Sequence, residues 1–269
     1  MATASDKEQT AWLQRALYLV GLAYAACFFL AGPWVGPYDY NHLSGYYEIA
    51  WRFWKTQSGL PQYNPFLCGG RTLAGDPQIP IYHPFTLLVG LLGPTVVVRW
   101  EMLAQIALGA WGMLRLLTYF ELPRANRLWG TLLFVAGGAV LARFEVGHVT
   151  LGFLFLFPLF LYLSYRIASN RDVARSFCWY LLLFIYCGLY KPNFFAYAVP
   201  LLGIEAAARA FFQRRPRVIL AFGAAALLAA GVDAISLLPA ADYFARFPRT
   251  AAAEAKWTWG LLVRGKIIP

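Results

Sequence analysis

Residues 33–84 read PWVGPYDYNHLSGYYEIAWRFWKTQSGLPQYNPFLCGGRTLAGDPQIPIYHP and form the long polar interruption of an otherwise apolar chain. A connection of this length is too long for a turn between two packed helices. Long connections usually carry function, because they lie on the surface of a rigid scaffold. The sequence therefore predicts helices arranged around one large loop.

The first part of this loop, residues 43–57, has the pattern of an amphipathic helix. Polar residues recur there at helical spacing, and aromatic or small residues fall on the other side. The polar side holds Ser44, Glu48, Arg52 and Lys55, and the apolar side holds Tyr46, Tyr47, Ala50, Trp51 and Trp54. Trp and Tyr on the apolar face favour a helix in the membrane interface, with an ordinary surface helix as the alternative. The prolines and glycines of residues 61–84 then predict a chain of turns.

The composition excludes a soluble domain. The 269 residues are 60% hydrophobic and 13% charged, with a mean hydropathy of +0.53. Soluble domains are about half apolar and about a quarter charged. A net charge of +10 would suit nucleic acid, but the basic residues lie in short clusters between apolar runs rather than along one face. We therefore expect an integral membrane protein with no nucleic-acid partner.

The apolar runs predict about seven transmembrane helices, since a span needs about 20 residues. These runs cover residues 16–31, 95–119, 126–141, 149–167, 177–190, 194–212 and 218–238. The short run 85–92 predicts an interfacial helix, and a signal peptide stays open for the first run. The expected fold is all-α, a polytopic membrane helix bundle forming a single transmembrane domain over 1–269. Its external parts are the loop 33–84, with the interfacial helix 43–57, and the tail 240–269.

The arginines predict the orientation, because cytoplasmic connections are rich in Lys and Arg. They cluster in alternate connections, at Arg124 and Arg127, at Arg166, Arg171 and Arg175, and at Arg209, Arg214, Arg215 and Arg217. The N-terminus shares their side. We therefore expect a multi-pass protein of the cell (inner) membrane, with its N-terminus cytoplasmic and the long loop outside. All three histidines and Lys191 then lie on the outer face.

Charged residues within the apolar runs are candidate functional groups, because an ionisable group inside a bilayer is costly. Asp233 lies in the last run, and we favour a functional role for it. Arg99 and Glu101 lie near the start of the second run, where function and snorkelling to the interface stay equally open. Glu205 and Arg209 have the spacing of a structural ion pair. The four cysteines form no zinc-ligand pattern.

Several motifs of the chain resemble those of a known family. QYNPFLCGG at residues 62–70, Asp76-Pro77-Gln78 and Tyr82-His83-Pro84 resemble the first external loop of YfhO-like bacterial membrane proteins. Gly147-His148 and Leu237-Leu238-Pro239 are further matches to these proteins, which are in turn similar to the GT-C glycosyltransferases. That resemblance implies a GT-C-like core of seven spans, in which the first external loop bears an acidic residue. It also implies transfer of a sugar from a polyprenyl-phosphate carrier on the external side.

The resemblance assigns roles to individual residues. Asp39 matches the loop acid and is the expected catalytic base, although it could also cap the following helix. The expected substrate-binding residues, chosen for their charge and outer position, are His42, Arg71, His83, His148, Lys191 and Asp233. For each histidine, an ordinary bond to backbone or water is the alternative. The expected partners are a lipid-linked sugar and membrane lipid.

We predict no cofactor and no metal site, and a divalent-metal requirement stays open. YfhO-like proteins usually continue through further spans, so we expect this chain to match only their N-terminal part. The alternative function is a non-catalytic membrane protein, either a component that binds or transports a lipid carrier or a structural subunit of a larger membrane complex.

Overall fold

The computed structural model describes residues 4–30, 40–56, 63–64, 71–72, 76, 79–137, 149–190 and 192–246. These residues are almost entirely helical, and the predicted all-α class is confirmed. The exception is a pair of two-residue antiparallel strands, β1 (Tyr63–Asn64) and β2 (Arg71–Thr72). The predicted site residues Asp39, His148 and Lys191 lie outside the described residues, and for Arg71 only the backbone is described.

The helices before the middle of the chain are α1 (Ala4–Leu30), α2 (Tyr40–Thr56), a 3-10 helix (Pro84–Leu88), α3 (Val89–Leu92), α4 (Pro94–Tyr119) and α5 (Arg124–Val135). The later ones are a second 3-10 helix (Val149–Leu156), α6 (Phe157–Ala168), α7 (Val173–Tyr190), α8 (Pro192–Phe212), α9 (Pro216–Val232) and α10 (Ala234–Arg246). A helix is thus present where the amphipathic pattern of residues 43–57 predicted one, and it starts three residues earlier.

Proline sets several of these boundaries, because it has no backbone N–H to donate within a helix. Pro94 opens α4 directly after Gly93, whose φ of 77° favours glycine. Pro192 opens α8 directly beyond the end of α7, and Pro216 opens α9.

Two buried clusters form the core. One joins α6, α7, α8 and α9 and includes Phe160, Phe184, Leu202 and Ala225. The other joins α2 to α4 and includes Tyr47, Val98 and Met102. Helix α4 connects the two, since it packs against α2, α5 and α6.

Glycines allow α4 to approach its neighbour closely. A Cβ at Gly109 would lie 2.7 Å from Cβ of Phe155, and a Cβ at Gly112 would lie 2.8 Å from the backbone N of Leu159. Small residues at such contacts are typical of helix pairs in membranes, where close backbone approach replaces the hydrophobic driving force.

Some of the helices are long and apolar enough to cross a membrane. Within the described residues these are Val173–Tyr190 and Phe194–Phe212, and a third candidate is the pair Pro216–Val232 and Ala234–Tyr243, which is bent by 77°. Large apolar side chains such as Ile204, Phe211 and Leu227 are exposed, as expected for surfaces that face lipid. The chain thus has membrane-protein character, and the count of seven spans stays a prediction.

The last apolar run differs from its prediction. We expected one span over residues 218–238 that ended before Pro239. The helix instead breaks at Asp233, and the second piece continues to Arg246 with Pro239 inside it. The shortest predicted run, residues 177–190, lies within one of the clear spans.

Replacing Gly112 with Ala is expected to destabilise the protein by about 1–3 kcal/mol, because the new Cβ overlaps the backbone of α6. Gly223→Ala is the matched control, since a Cβ at Gly223 meets nothing within 4 Å. That change is expected to be neutral, or stabilising by up to about 1 kcal/mol through helix propensity. Thermal unfolding of both variants in detergent measures the difference. Equal melting temperatures would contradict the close α4–α6 contact.

Candidate functional site

A buried group of polar side chains lies where the long loop meets the helix bundle. We call it the polar cluster, and it consists of Tyr47, His83, Glu101, Gln105 and Tyr186. Tyr47 comes from α2, His83 precedes the first 3-10 helix, Glu101 and Gln105 come from α4, and Tyr186 comes from α7. The first four are at most 1% exposed. Burial of so many polar groups is costly unless each is hydrogen-bonded.

Hydrogen bonds link the cluster through the Glu101 carboxylate. Tyr47 Oη donates to Glu101 Oε2 at 2.6 Å, and Gln105 Nε2 donates to Glu101 Oε1 at 3.0 Å. Gln105 Nε2 also lies 3.4 Å from Tyr186 Oη. Both carboxylate oxygens therefore accept a bond, and the short Tyr47 bond has the length of a charge-assisted one.

The donor count fixes the tautomer of His83. Its Nδ1 lies 3.1 Å from Tyr47 Oη. A tyrosine hydroxyl has one hydrogen, and that hydrogen goes to Glu101, so Nδ1 must carry the hydrogen of this contact. In the neutral ring, Nε2 then holds the lone pair. Glu101, Tyr47 and His83 form an acid–phenol–imidazole chain that orients the ring, as an acid orients the histidine of a catalytic triad.

Aromatic rings enclose the His83 imidazole. Phe85 stacks on it with a centroid distance of 5.3 Å and an interplanar angle of 11°. Tyr190 and Tyr186 of α7 approach it at 4.7 and 5.0 Å. These contacts restrict the rotation of the ring and attach the end of the loop to α7.

Burial also keeps Tyr47 a hydrogen-bond donor. Desolvation and, after it, the nearby Glu101 carboxylate raise the pKa of Tyr47 well above its usual value. The phenol is therefore neutral at every physiological pH. Tyr47 therefore keeps its hydrogen for donation over that range.

The two faces of α2 explain why this helix docks. Leu43, Tyr47 and Ala50 are buried on the face that meets the bundle and the loop. On the exposed face, Glu48 and Arg52 form an i, i+4 pair at 2.6 Å. Trp54 Nε1 donates to the carbonyl oxygen of Ile81 at 2.7 Å, which fixes the segment before His83.

The structure separates the predicted site residues. His83 lies in the polar cluster, whereas His42 is exposed on α2. Asp233 is fully buried at the junction of α9 and α10, beside Gly188 of α7. The predicted structural pair of Glu205 and Arg209 is present, and Ser164 Oγ donates to Glu205 Oε2 at 3.1 Å.

Sequence reasoning missed part of the cluster. Tyr47, Gln105 and Tyr186 were not candidate site residues, and the role of Glu101 was left open between function and snorkelling. The structure buries Glu101 completely, so its side chain is enclosed by protein. The acid near the start of α4 and the tyrosine at the centre of the apolar face of α2 could each have been noticed in the sequence. Their hydrogen bond could not be predicted, because it depends on how the two helices pack.

Among the residues that the structure describes, no group of three or more His, Cys, Asp or Glu side chains is placed to hold a metal ion. A divalent-metal requirement therefore stays open.

Comparison of the chain with models of known protein families, with curated proteins and with solved structures gives no match. The fold and site thus define an all-α protein of membrane character with a buried polar cluster under its long loop.

Replacing Tyr47 with Phe removes one hydroxyl and takes one hydrogen bond each from Glu101 and His83. We expect a loss of about 1–3 kcal/mol, the usual cost of leaving buried polar groups unsatisfied. Hydrogen exchange of α2 amides is expected to become faster, since this bond holds α2 on α4. Tyr82→Phe is the control, because Tyr82 is half-buried and its hydroxyl lies outside the cluster. If both variants have the stability of the parent, the bond does not anchor the loop.

Proposed function

We propose that the chain is a GT-C-type membrane glycosyltransferase that moves a sugar from a polyprenyl-phosphate donor to an acceptor on the extracytoplasmic side of the cell (inner) membrane. The proposal includes about seven spans, a cytoplasmic N-terminus and an external first loop. The observation that carries it is the buried chain of Glu101, Tyr47 and His83, which ties the loop helix α2 to α4.

The reaction assigns a task to the residue just before α2. The acceptor hydroxyl oxygen attacks the anomeric carbon, the bond from that carbon to the phosphate oxygen breaks, and the lipid phosphate leaves as an anion. The hydroxyl proton passes to a general base, a role that suits a positioned carboxylate. Asp39 is that base in our proposal, as the family resemblance implies. Because α2 begins at Tyr40, the contacts that anchor α2 would also limit the movement of Asp39, the preceding residue.

The contacts that hold α2 in place support this role because they include hydrogen bonds. A loop helix that only covers the bundle can be held by apolar packing, which avoids the cost of burying a carboxylate. The hydrogen bond from Tyr47 to Glu101 and that from Trp54 to Ile81 instead fix both the rotation and the height of α2. Such positional restriction is what a catalytic group requires, since small displacements lower the rate strongly.

The departing phosphate needs positive charge or hydrogen-bond donors. In the proposed topology Lys191, Arg71 and the histidines lie on the outer side, where the donor phosphate would be. We propose Lys191, Arg71, His42, His83, His148 and Asp233 as the substrate-binding group. Lys191 stands directly between α7, whose Tyr190 packs on His83, and α8.

Asp39→Asn is expected to lower sugar transfer by at least about 100-fold, the scale of losing a general base. Thermal stability is expected to stay at the parent value, since Asn caps a helix as well as Asp does. The assay follows transfer from a polyprenyl-phosphate-linked sugar in proteoliposomes. Glu48→Gln, which removes a carboxylate from the exposed face of α2, serves as the control and is expected to retain activity.

The assay also distinguishes the alternatives. Retained transfer by Asp39→Asn would exclude Asp39 as the base, and loss of folding would favour a capping role. A parent protein that binds the lipid carrier without turning it over would favour the non-catalytic binding or transport component.

The orientation can be tested with native cysteines. In intact cells, a membrane-impermeant thiol reagent is expected to label Cys68 in a Cys178→Ser background, because the loop is external in the proposed topology. The matched variant, Cys68→Ser, keeps Cys178, which is exposed near the start of α7. It is expected to react only after permeabilisation. The opposite labelling pattern would reverse the orientation.

A further inference from the structure

The broken helix at Asp233 holds a buried carboxylate that no described group hydrogen-bonds. Asp233 is 0% exposed, and in the part of the chain that the structure describes neither of its side-chain oxygens has a hydrogen-bond partner. The start of α10 is satisfied by the main chain instead, because the carbonyl oxygen of Asp233 accepts bonds from the N–H groups of Ser236 and Leu237, both at 2.8 Å. The carboxylate is therefore not a helix cap.

Gly188 of α7 lies against this carboxylate. A Cβ at Gly188 would overlap Oδ2 of Asp233, so only glycine leaves room for the carboxylate there. The Gly188 carbonyl lacks its ordinary helical donor, since the residue four positions later is Pro192, which has no N–H. Ser236 Oγ donates to this carbonyl oxygen at 3.4 Å. The Asp233 carboxylate and the Ser236 hydroxyl thus both lie against Gly188.

Two helix ends meet at this point. Helix α9 ends at Val232 with a partial negative charge, and α10 begins at Ala234 with a partial positive one. A buried carboxylate in such a place is strongly unfavourable without a compensating positive charge. Discontinuous membrane helices whose ends and released carbonyls face an acidic side chain are suited to bind a cation.

We propose that Asp233, the Gly188 carbonyl and the Ser236 hydroxyl bind a monovalent alkali cation in the break between α9 and α10. The ligands are all hard oxygens, which favours alkali and alkaline-earth ions over softer transition metals. A single carboxylate balances one positive charge, whereas sites for divalent ions usually supply more acidic ligands. This inference does not depend on the proposed glycosyltransferase activity.

Thermal unfolding of the purified full chain tests the proposal. The protein is compared in chloride salts of sodium, potassium, lithium and choline at one pH and one ionic strength. At least one alkali cation is expected to raise the melting temperature by about 3 °C or more over choline, with a saturable concentration dependence. Binding of radioactive sodium or rubidium measures the affinity and a stoichiometry of one directly.

Variants assign the effect to the site. Asp233→Asn is expected to abolish the cation response, and Ser236→Ala to weaken the apparent affinity by about 10-fold, the scale of one lost polar contact. Asp242→Asn, which removes an exposed carboxylate from the same helix α10, is expected to keep the full response. If Asp233→Asn does not fold, the apparent cation affinity of Ser236→Ala tests the proposal instead.

Each contrary result overturns the proposal. An equal response in Asp233→Asn would place the cation elsewhere, and an unchanged affinity in Ser236→Ala would remove Ser236 from the site. A parent protein whose stability responds to pH alone, equally in all salts, would show that Asp233 holds a proton instead of a cation.

Discussion

The hydrogen bond from Tyr47 to Glu101 is the contact on which the arrangement of the loop depends. It joins an aromatic residue of α2 to an acid of α4 in surroundings that exclude water. In such surroundings a paired polar group is stable and an unpaired one is strongly unfavourable, so α2 and α4 have one favoured relative position. The position of His83 follows from this arrangement, because His83 bonds to the same phenol. The aromatic rings of α7 in turn pack on His83.

Helix α7 connects the two buried polar regions of the protein. One side of its last turns presents Tyr186 and Tyr190 to His83, and Gly188 lies against Asp233. Both regions therefore depend on how the last turns of α7 pack. The polar cluster has several internal hydrogen bonds, although Gln105 Oε1 has no described partner, whereas neither oxygen of the Asp233 carboxylate is bonded by described groups. The first is thus suited to hold a structure in place and the second to receive a ligand.

The sequence predicted those features that depend on short-range patterns. The amphipathic period identified α2, and Pro94 and Pro192 marked helix boundaries because proline lacks an N–H. Asp233 was singled out because charge inside an apolar run is costly. The bend at Asp233 was missed, since residues 218–238 form a uniformly apolar run in which Pro239 was the only visible breaker. The pairing of Tyr47 with Glu101 was missed because it depends on tertiary packing that no local period encodes.

The spacing of the Tyr47–Glu101 pair has a consequence for how the protein is made. The two residues are 54 positions apart, and a chain leaves the ribosome from its N-terminus. Helix α2 therefore emerges well before the acid that anchors it, and the hydrogen bond to Glu101 cannot form during that interval. Tyr47 and the other residues that α2 packs on α4 gain these partners only after α4 has been made.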